Sequence, residues 1–302
     1  MTTSGTTVGF LGLGRMGAPM ASRLVGHVAN GTGRLLVYDI SAAAVGALVA
    51  KGAEAAGSAA ALGEKCEIVL LSLPTPPIVR EAVGEVVSGG SPRIVCDLST
   101  SGPKLAQELH DLLGPRGIAS FDAPVSGGIR GAELGSLAIM VGGPEPLYDE
   151  IRPILDRIGN PFFLGETPGA GQVAKLANTL LSLAAIAVTA EAMTLALKAG
   201  IDPARMIEVL NAGTGANSAT RDKWPRAVLP RTFDFGFSAQ LSLKDTRLAL
   251  AEARAMGVPL PTGERLETLL ERVIAAYGDD ADFTEMAKVV EADAGLDPER
   301  PA

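Results

Sequence analysis

The sequence predicts an α/β N-terminal half on a doubly wound, mainly parallel sheet, and an all-α C-terminal half joined to it by a long helix. Three observations carry this prediction. Short apolar runs alternate with helical stretches through the first half, as strands and crossover helices do. A glycine-rich turn lies between the first apolar run and the first helical one. The alternation stops near Gly165, and the remaining chain is helical in pattern with few strand-like runs.

The first strand is read at Val8–Leu11 and the first helix from Ala18 to Val28, with Gly12-Leu13-Gly14-Arg15-Met16-Gly17 between them. Strand, GxGxxG and helix in that order grip a dinucleotide pyrophosphate. The first glycine permits the tight turn, the second lets the backbone approach the phosphates, and the third lets helix pack on strand. Free N–H groups at the helix start face the anion. Leu35–Tyr38 reads as the second strand and Asp39 closes it, about 20 residues beyond the third glycine. An acid that bonds the adenosine 2′-hydroxyl stands there. Its carboxylate would repel a 2′-phosphate, which favours NAD over NADP. The plainer reading of Asp39 is a surface acid at a strand end.

Helices at Ala42–Lys51, Pro77–Val87 and Gly102–Leu113 alternate with strands at Ile68–Leu73, Ile94–Cys96, Ala119–Phe121 and Leu137–Val141. In such a sheet the ligand binds at the carboxyl ends of the strands. Leu73-Pro74 closes one run, and Asp97-Leu98-Ser99-Thr100 closes the next. Ser99 and Thr100 read equally well as helix caps or as cofactor contacts. Pro168-Gly169-Ala170-Gly171 then opens a helix to about Ala199, roughly 30 residues and 45 Å long. It is apolar nearly all round, which implies more than one neighbour, in a second domain or a partner subunit. The expected division is a dinucleotide-binding domain over 1–167 and a helical substrate and oligomerisation domain over 168–302.

Residues 176–190 carry no charge. That is about 15 positions, short of the ~20 needed to span a bilayer, so a buried helix is expected rather than a membrane span. The chain has 302 residues, 47% of them hydrophobic, and a net charge of −8. That charge, with no basic run, argues against nucleic acid or an anionic membrane as main partner. Residues 1–6 are polar and uncharged, unlike the start of a secretory leader, so a cytoplasmic protein is expected. Cys66 and Cys96 form no CxxC pair and read as small buried hydrophobes in a reducing compartment. His27 and His110 are the only histidines and read as structural or surface residues. No metal site is expected, and a histidine–carboxylate base is disfavoured.

Oxidising a hydroxyl beside a nicotinamide needs a group that moves the hydroxyl proton. With histidine scarce, Lys175 is the strongest candidate, two turns into the long helix. The helix N-terminus and burial both favour the neutral amine that a base requires. Asn178 shares its face three residues on. The alternative is a lysine at the polar edge of a buried helix. Asp122-Ala123-Pro124-Val125-Ser126-Gly127-Gly128 offers a second constellation. Ser126, Gly127 and Gly128 make a small-residue nest for a substrate carboxylate, or simply a tight turn. Lys244-Asp245, taken alone, reads as a solvated helix surface.

Together these pieces resemble the β-hydroxyacid dehydrogenase family, the group that includes 3-hydroxyisobutyrate dehydrogenase and several semialdehyde reductases. The matches run in order along nearly the whole chain. They are Val8 to Gly17, Asp97-Leu-Ser-Thr100 with Pro103, Asp122 to Gly128, Gly135-Ser-Leu with Met140-Val-Gly-Gly143, Gly169-Ala-Gly-Gln-Val-Ala-Lys175 with Asn178, and Lys244-Asp245.

The resemblance implies an N-terminal Rossmann domain, a long connecting helix, and a helical domain that helps form a homodimer or homotetramer. It implies a small 3-hydroxy acid or its semialdehyde as substrate. Lys175 would be general acid/base, Ser126, Gly127 and Gly128 would hold the substrate, and Asn178 would orient it. Leu73, Pro74, Thr100 and Lys244 would face the cofactor. Thr179 departs from the Asn or Gln that many members carry. Gly213 to Thr220 lies where members differ, toward the substrate pocket. Phe233, Phe235 and Phe237 wall that pocket or pack in the core. Two rival readings are an imine reductase on a similar scaffold and a non-catalytic dinucleotide-binding protein.

Overall fold

The structure is a computed structural model that describes residues 5–29, 33–90 and 92–299. The expectation about residues 1–6 falls largely on residues 1–4, outside the described ones, as does the His27 side chain. The chain divides into two compact units, Met1–Lys175 and Leu176–Ala302.

The first unit opens with β1 (Thr6–Leu11), α1 (Gly17–Ala29), β2 (Gly33–Tyr38), α2 (Ala42–Val49), β3 (Glu54–Ala55) and α3 (Ala59–Lys65). There follow β4 (Ile68–Leu71), α4 (Pro76–Gly89), β5 (Ile94–Asp97), α5 (Pro103–Leu113) and β6 (Ala119–Asp122). These six strands form one sheet in the order β3-β2-β1-β4-β5-β6, every pair parallel. The order reverses beside β1, the arrangement of the dinucleotide-binding Rossmann fold. β4 and β5 are buried at every residue, so their unbroken apolar runs reflect helices on both faces. Leu62, Val79, Val83 and Leu113 pack against Val69, Leu71 and Val95 on one face. Met20, Leu24, Leu48 and Phe121 pack against Phe10, Leu70 and Cys96 on the other. Each fully buried side chain of this size stabilises by about 1.5–3 kcal/mol.

The unit continues with β7 (Val125–Ser126), α6 (Gly128–Leu134), β8 (Leu137–Val141), α7 (Glu145–Ile158) and β9 (Gly159–Phe163). Here β8 pairs antiparallel with β7 and parallel with β9. A bridge between Asp122 and Gly142 joins this small sheet to the end of β6. The sequence pattern does not predict β3, β7 or β9. Two of them are only two residues long, and Pro161 interrupts the pattern of the third.

α8 spans Ala170–Lys198, within a residue or two of the expected helix. By length and composition it is the one helix among the described residues long and apolar enough to cross a membrane, with mean hydropathy 1.9. The second unit takes most of α8, then α9 (Pro203–Ala212), a π-helix over Ala219–Val228, α10 (Ala239–Ala255), α11 (Pro261–Tyr277) and α12 (Met286–Asp293). Its core gathers Leu183, Ile186 and Met193 of α8 with Trp224, Leu270, Val273 and Met286. Phe233 is buried there, and Phe235 and Phe237 both meet Phe283 edge to face, at 5.8 and 5.9 Å. The three phenylalanines therefore serve core packing.

Candidate active site

The glycine turn is built as its sequence requires. Gly12 has φ +96°, and a Cβ there would stand 2.3 Å from the Ser72 carbonyl. A Cβ on Gly17 would lie 1.9 Å from the Gly12 carbonyl, so only glycine lets α1 start this close to the turn. Gly14 is exposed, and a Cβ on it would meet nothing within 4 Å. The open backbone at that position suits an approaching pyrophosphate, and the first turn of α1 holds no acid to oppose it. Leu13 is buried, while Arg15 is exposed beside half-buried Met16.

Asp39 is more than a surface acid. Its Oδ2 accepts from the Leu13 N–H at 2.6 Å and its Oδ1 from the Ser41 N–H at 2.8 Å. The carboxylate at the end of β2 thus fixes the middle of the glycine turn. A carboxylate has roughly four acceptor sites, so two remain for ligand hydroxyls.

The carboxyl ends of β4, β5 and β6 carry a continuous hydrogen-bond network. β4 ends at Leu71, earlier than expected, because Ser72 still donates to the Leu11 carbonyl whereas Leu73 donates to Ser99 Oγ at 2.8 Å. Leu73 and Pro74 are therefore loop residues. Ser99 and Thr100 are not caps either, since Gly102 occupies the N-cap of α5. Asp97 accepts from the Ser99 N–H at 2.9 Å and from Ser101 Oγ at 2.5 Å.

Gln172, fully buried in the first turn of α8, ties that helix to the same loop. Its Nε2 donates to the Ser99 carbonyl at 2.9 Å, and its Oε1 accepts from the Ser101 and Gly102 N–H groups, both at 3.0 Å. From the other side Asp122 caps the helix. Its two oxygens accept from the Gly169 and Gln172 N–H groups, each at 2.9 Å. Burial, with a smaller push from Asp97, drives the Asp122 carboxyl up to about 7, against those two donors, which favour its charged form.

Lys175, half-buried, follows Gln172 by three residues in the same helix, and Asn178 by three more. The clamp therefore fixes the helical turn from which Lys175 projects. Asp122 belongs to this clamp and not to the substrate nest. Ser126 ends β7 half-buried, and Gly127 and Gly128 follow it exposed, both at positive φ. A Cβ on Gly128 would meet nothing within 4 Å.

In the second unit Lys244 lies in α10 and pairs with Asp245 at 2.9 Å. Asp245 is buried, which corrects the view of the pair as a solvated helix surface. The segment containing Gln172 stands out in the sequence, but the task of that residue does not. A glutamine directly after Gly169-Ala170-Gly171, at the start of a mostly apolar helix, was the available signal. Burial pushes the Cys66 thiol up to about 12 and raises Cys96 as well, so both are free, inert core residues. Among the described residues no group of His, Cys, Asp and Glu is placed to hold a metal.

Two family models divide the chain between them. Residues 7–166 match the NAD binding domain of 6-phosphogluconate dehydrogenase, and residues 169–290 match the NAD-binding domain of NADP-dependent 3-hydroxyisobutyrate dehydrogenase. The 3-hydroxyisobutyrate dehydrogenase of Pseudomonas aeruginosa is 36% identical over 299 residues, covering 94% of this chain and 98% of its own length. The 2-(hydroxymethyl)glutarate dehydrogenase of Eubacterium barkeri is 35% identical, covering 84% of each chain. A solved structure of Mycobacterium tuberculosis 3-hydroxyisobutyrate dehydrogenase with L-serine superposes with a TM-score of 0.85 at 32% identity, covering 95% of this chain and 99% of that one. The chain belongs to the β-hydroxyacid dehydrogenase family, as an NAD(P)-dependent dehydrogenase acting on hydroxyl groups.

Proposed function

We propose that the protein interconverts a small 3-hydroxy acid and its semialdehyde, with Lys175 as general acid/base. One observation carries this reading: the Gln172–Asp122 clamp uses five hydrogen bonds to fix the helical turn just before Lys175. A buried polar network of that kind is costly unless complete, and here it orders the base of a single amine. The Lys175 amine takes the hydroxyl proton during oxidation and returns it during reduction. The Ser126 hydroxyl and the N–H groups of Gly127 and Gly128 hold the carboxylate, and the Asn178 amide steadies the oxygen that loses its proton.

The cofactor is held by Gly12 to Gly17 at the pyrophosphate and by Asp39 at the ribose, with Leu73, Pro74, Thr100 and Lys244 along its remaining length. When bound, it supplies the hydride acceptor or donor at the nicotinamide. Asp39 favours NAD, because a 2′-phosphate would meet a carboxylate already fixed in place by the Leu13 and Ser41 N–H groups. Residues 1–167 are assigned to the cofactor and 168–302 to substrate and self-association, in a cytoplasmic homodimer or homotetramer. In α8 the exposed Leu181, Val188 and Leu195 recur every seven residues, a ridge suited to a second copy.

Candidate substrates are those of the relatives: 3-hydroxyisobutyrate, L-serine and 2-(hydroxymethyl)glutarate. A screen of NAD⁺ reduction over C3–C6 hydroxy acids, repeated with NADP⁺, tests the reading. Turnover of a 3-hydroxy acid with NAD⁺ supports it, and turnover of cyclic imines alone would transfer the protein to imine reduction.

A further inference from the structure

The small sheet of the first unit is covered on one face only. In β8, Leu137, Ile139 and Val141 are fully buried, while Ala138 and Met140 between them are half-buried. In β9 the same alternation leaves Asn160 and Phe162 exposed. Residues paired across neighbouring strands carry their side chains on the same face. Ser126 pairs with Ala138, Ala138 with Asn160, and Met140 with Phe162. These five residues therefore share the open face.

Two rows result. Ser126, Ala138 and Asn160 make the first, and Met140 and Phe162 make the second, one pair further along the strands. Neighbouring strands lie about 4.8 Å apart, so the Ser126 backbone is about 5 Å from that of Ala138 and about 7–8 Å, diagonally, from that of Met140. The small Ala138 leaves a shallow floor beside the Ser126 hydroxyl, with the apolar row along its side. Phe162 is the one exposed aromatic ring among the described residues. Thioether and ring contact each other favourably and together offer an adaptable apolar surface. β9 is an edge strand, and Pro161 removes one backbone donor from it, which disfavours the addition of a further strand. The face is exposed to a small molecule, and a ligand held at Ser126 reaches it without leaving the first unit.

We infer that this open face is the wall against which the substrate's substituent lies, and that the enzyme prefers 3-hydroxy acids bearing an apolar substituent of butyl to phenyl size. The inference rests on the proposed placement of the substrate carboxylate at Ser126, Gly127 and Gly128. From there the substituent crosses Ala138 and meets Met140 and Phe162. An ammonium or a hydroxyl on the same carbon gains nothing from that surface.

Simple carboxylates that lack a hydroxyl test this by binding alone, in calorimetric titrations of the NADH-loaded enzyme. 3-Phenylpropanoate should bind ~10–100-fold more tightly than propionate, the value of burying one such group. Phe162→Ser and Met140→Ser should each reduce that ratio several-fold and leave propionate affinity unchanged. Phe162 is exposed, so its variant is expected to fold like wild type. Equal affinity of wild type for the two acids overturns the inference. So does a ratio that survives both variants, and a Phe162→Ser variant that keeps the ratio but sediments as a smaller species gives the face to a second copy instead. Ser126→Ala separates this from the carboxylate placement. Equal weakening of both acids upholds that placement whatever the ratio does, and no weakening of either overturns it.

Discussion

The two units each bury a polar cluster, and the clusters are finished to different degrees. At the start of α8, Asp122, Gln172 and Asp97 accept from the N–H groups of Ser99, Ser101, Gly102, Gly169 and Gln172 and from the Ser101 hydroxyl. In the π-helix, Lys223 has one hydrogen bond and no acid among the described residues. A completed network makes a rigid mount. An incomplete one around a charge costs stability, because the desolvation of the charge is not repaid. The contrast makes the first cluster stabilising and the second a cost to the fold.

The largest effect expected is catalytic. Lys175→Ala should lower turnover ~10²–10⁴-fold, the usual value of positioned proton transfer, with NADH binding retained. Steady-state rates beside an NADH titration read this, and a variant with more than half of wild-type turnover would remove Lys175 from its role. Next comes the mount itself. Gln172→Leu preserves volume but strands the Ser101 and Gly102 N–H groups and the Ser99 carbonyl, at a cost of about 3 kcal/mol. Urea unfolding measures it, and turnover should fall as well because Lys175 loses its fixed turn. An undiminished midpoint would show that the cluster is not a mount.

Protonation sharpens the comparison. The Asp122 carboxyl titrates near 3.8 when unfolded and about 7 when folded. Between those values the native state keeps a proton that the unfolded chain has released, so this group's contribution to stability falls as pH rises from about 4 to 7. Asp122→Asn should be less stable than wild type at either pH, having one amide face an N–H donor, but should lose a few kcal/mol less between pH 5 and 8. Denaturant midpoints at the two pH values decide it, and parallel slopes would refute it. The smallest effect belongs to the second cluster. Lys223→Met should leave stability unchanged or raise it by about 1 kcal/mol in ligand-free protein, since it removes an uncompensated buried charge. A loss of several kcal/mol in thermal or urea unfolding would make Lys223 a structural residue.

Much of this molecule was legible in the chain because the governing interactions are local. The glycines of the turn, Asp39 at its spacing, and the alternation of strand and helix follow from backbone sterics and periodicity, which neighbouring residues determine. Hydrogen bonding across the sheet was not legible. Nothing near Ser99 announces that it accepts from Leu73 rather than capping α5. Asp122 looked like part of a substrate motif until its two oxygens were seen on the first turn of α8. Short strands such as β3 and β7 exist only because a neighbour is there to pair with them.

The sequence by itself therefore determined the class of fold, the cofactor turn and the identity of the lysine beside the glycine-rich helix start, since each depends on residue types at short fixed spacing. Only the tertiary structure decided what holds that helix in place and which buried charge is left without an acid. Both depend on groups 50 to 73 residues apart in the first unit, or on which of several nearby carboxylates each cation takes in the second. Burial in a low dielectric sets the stakes of those choices, and burial is a property of the folded chain.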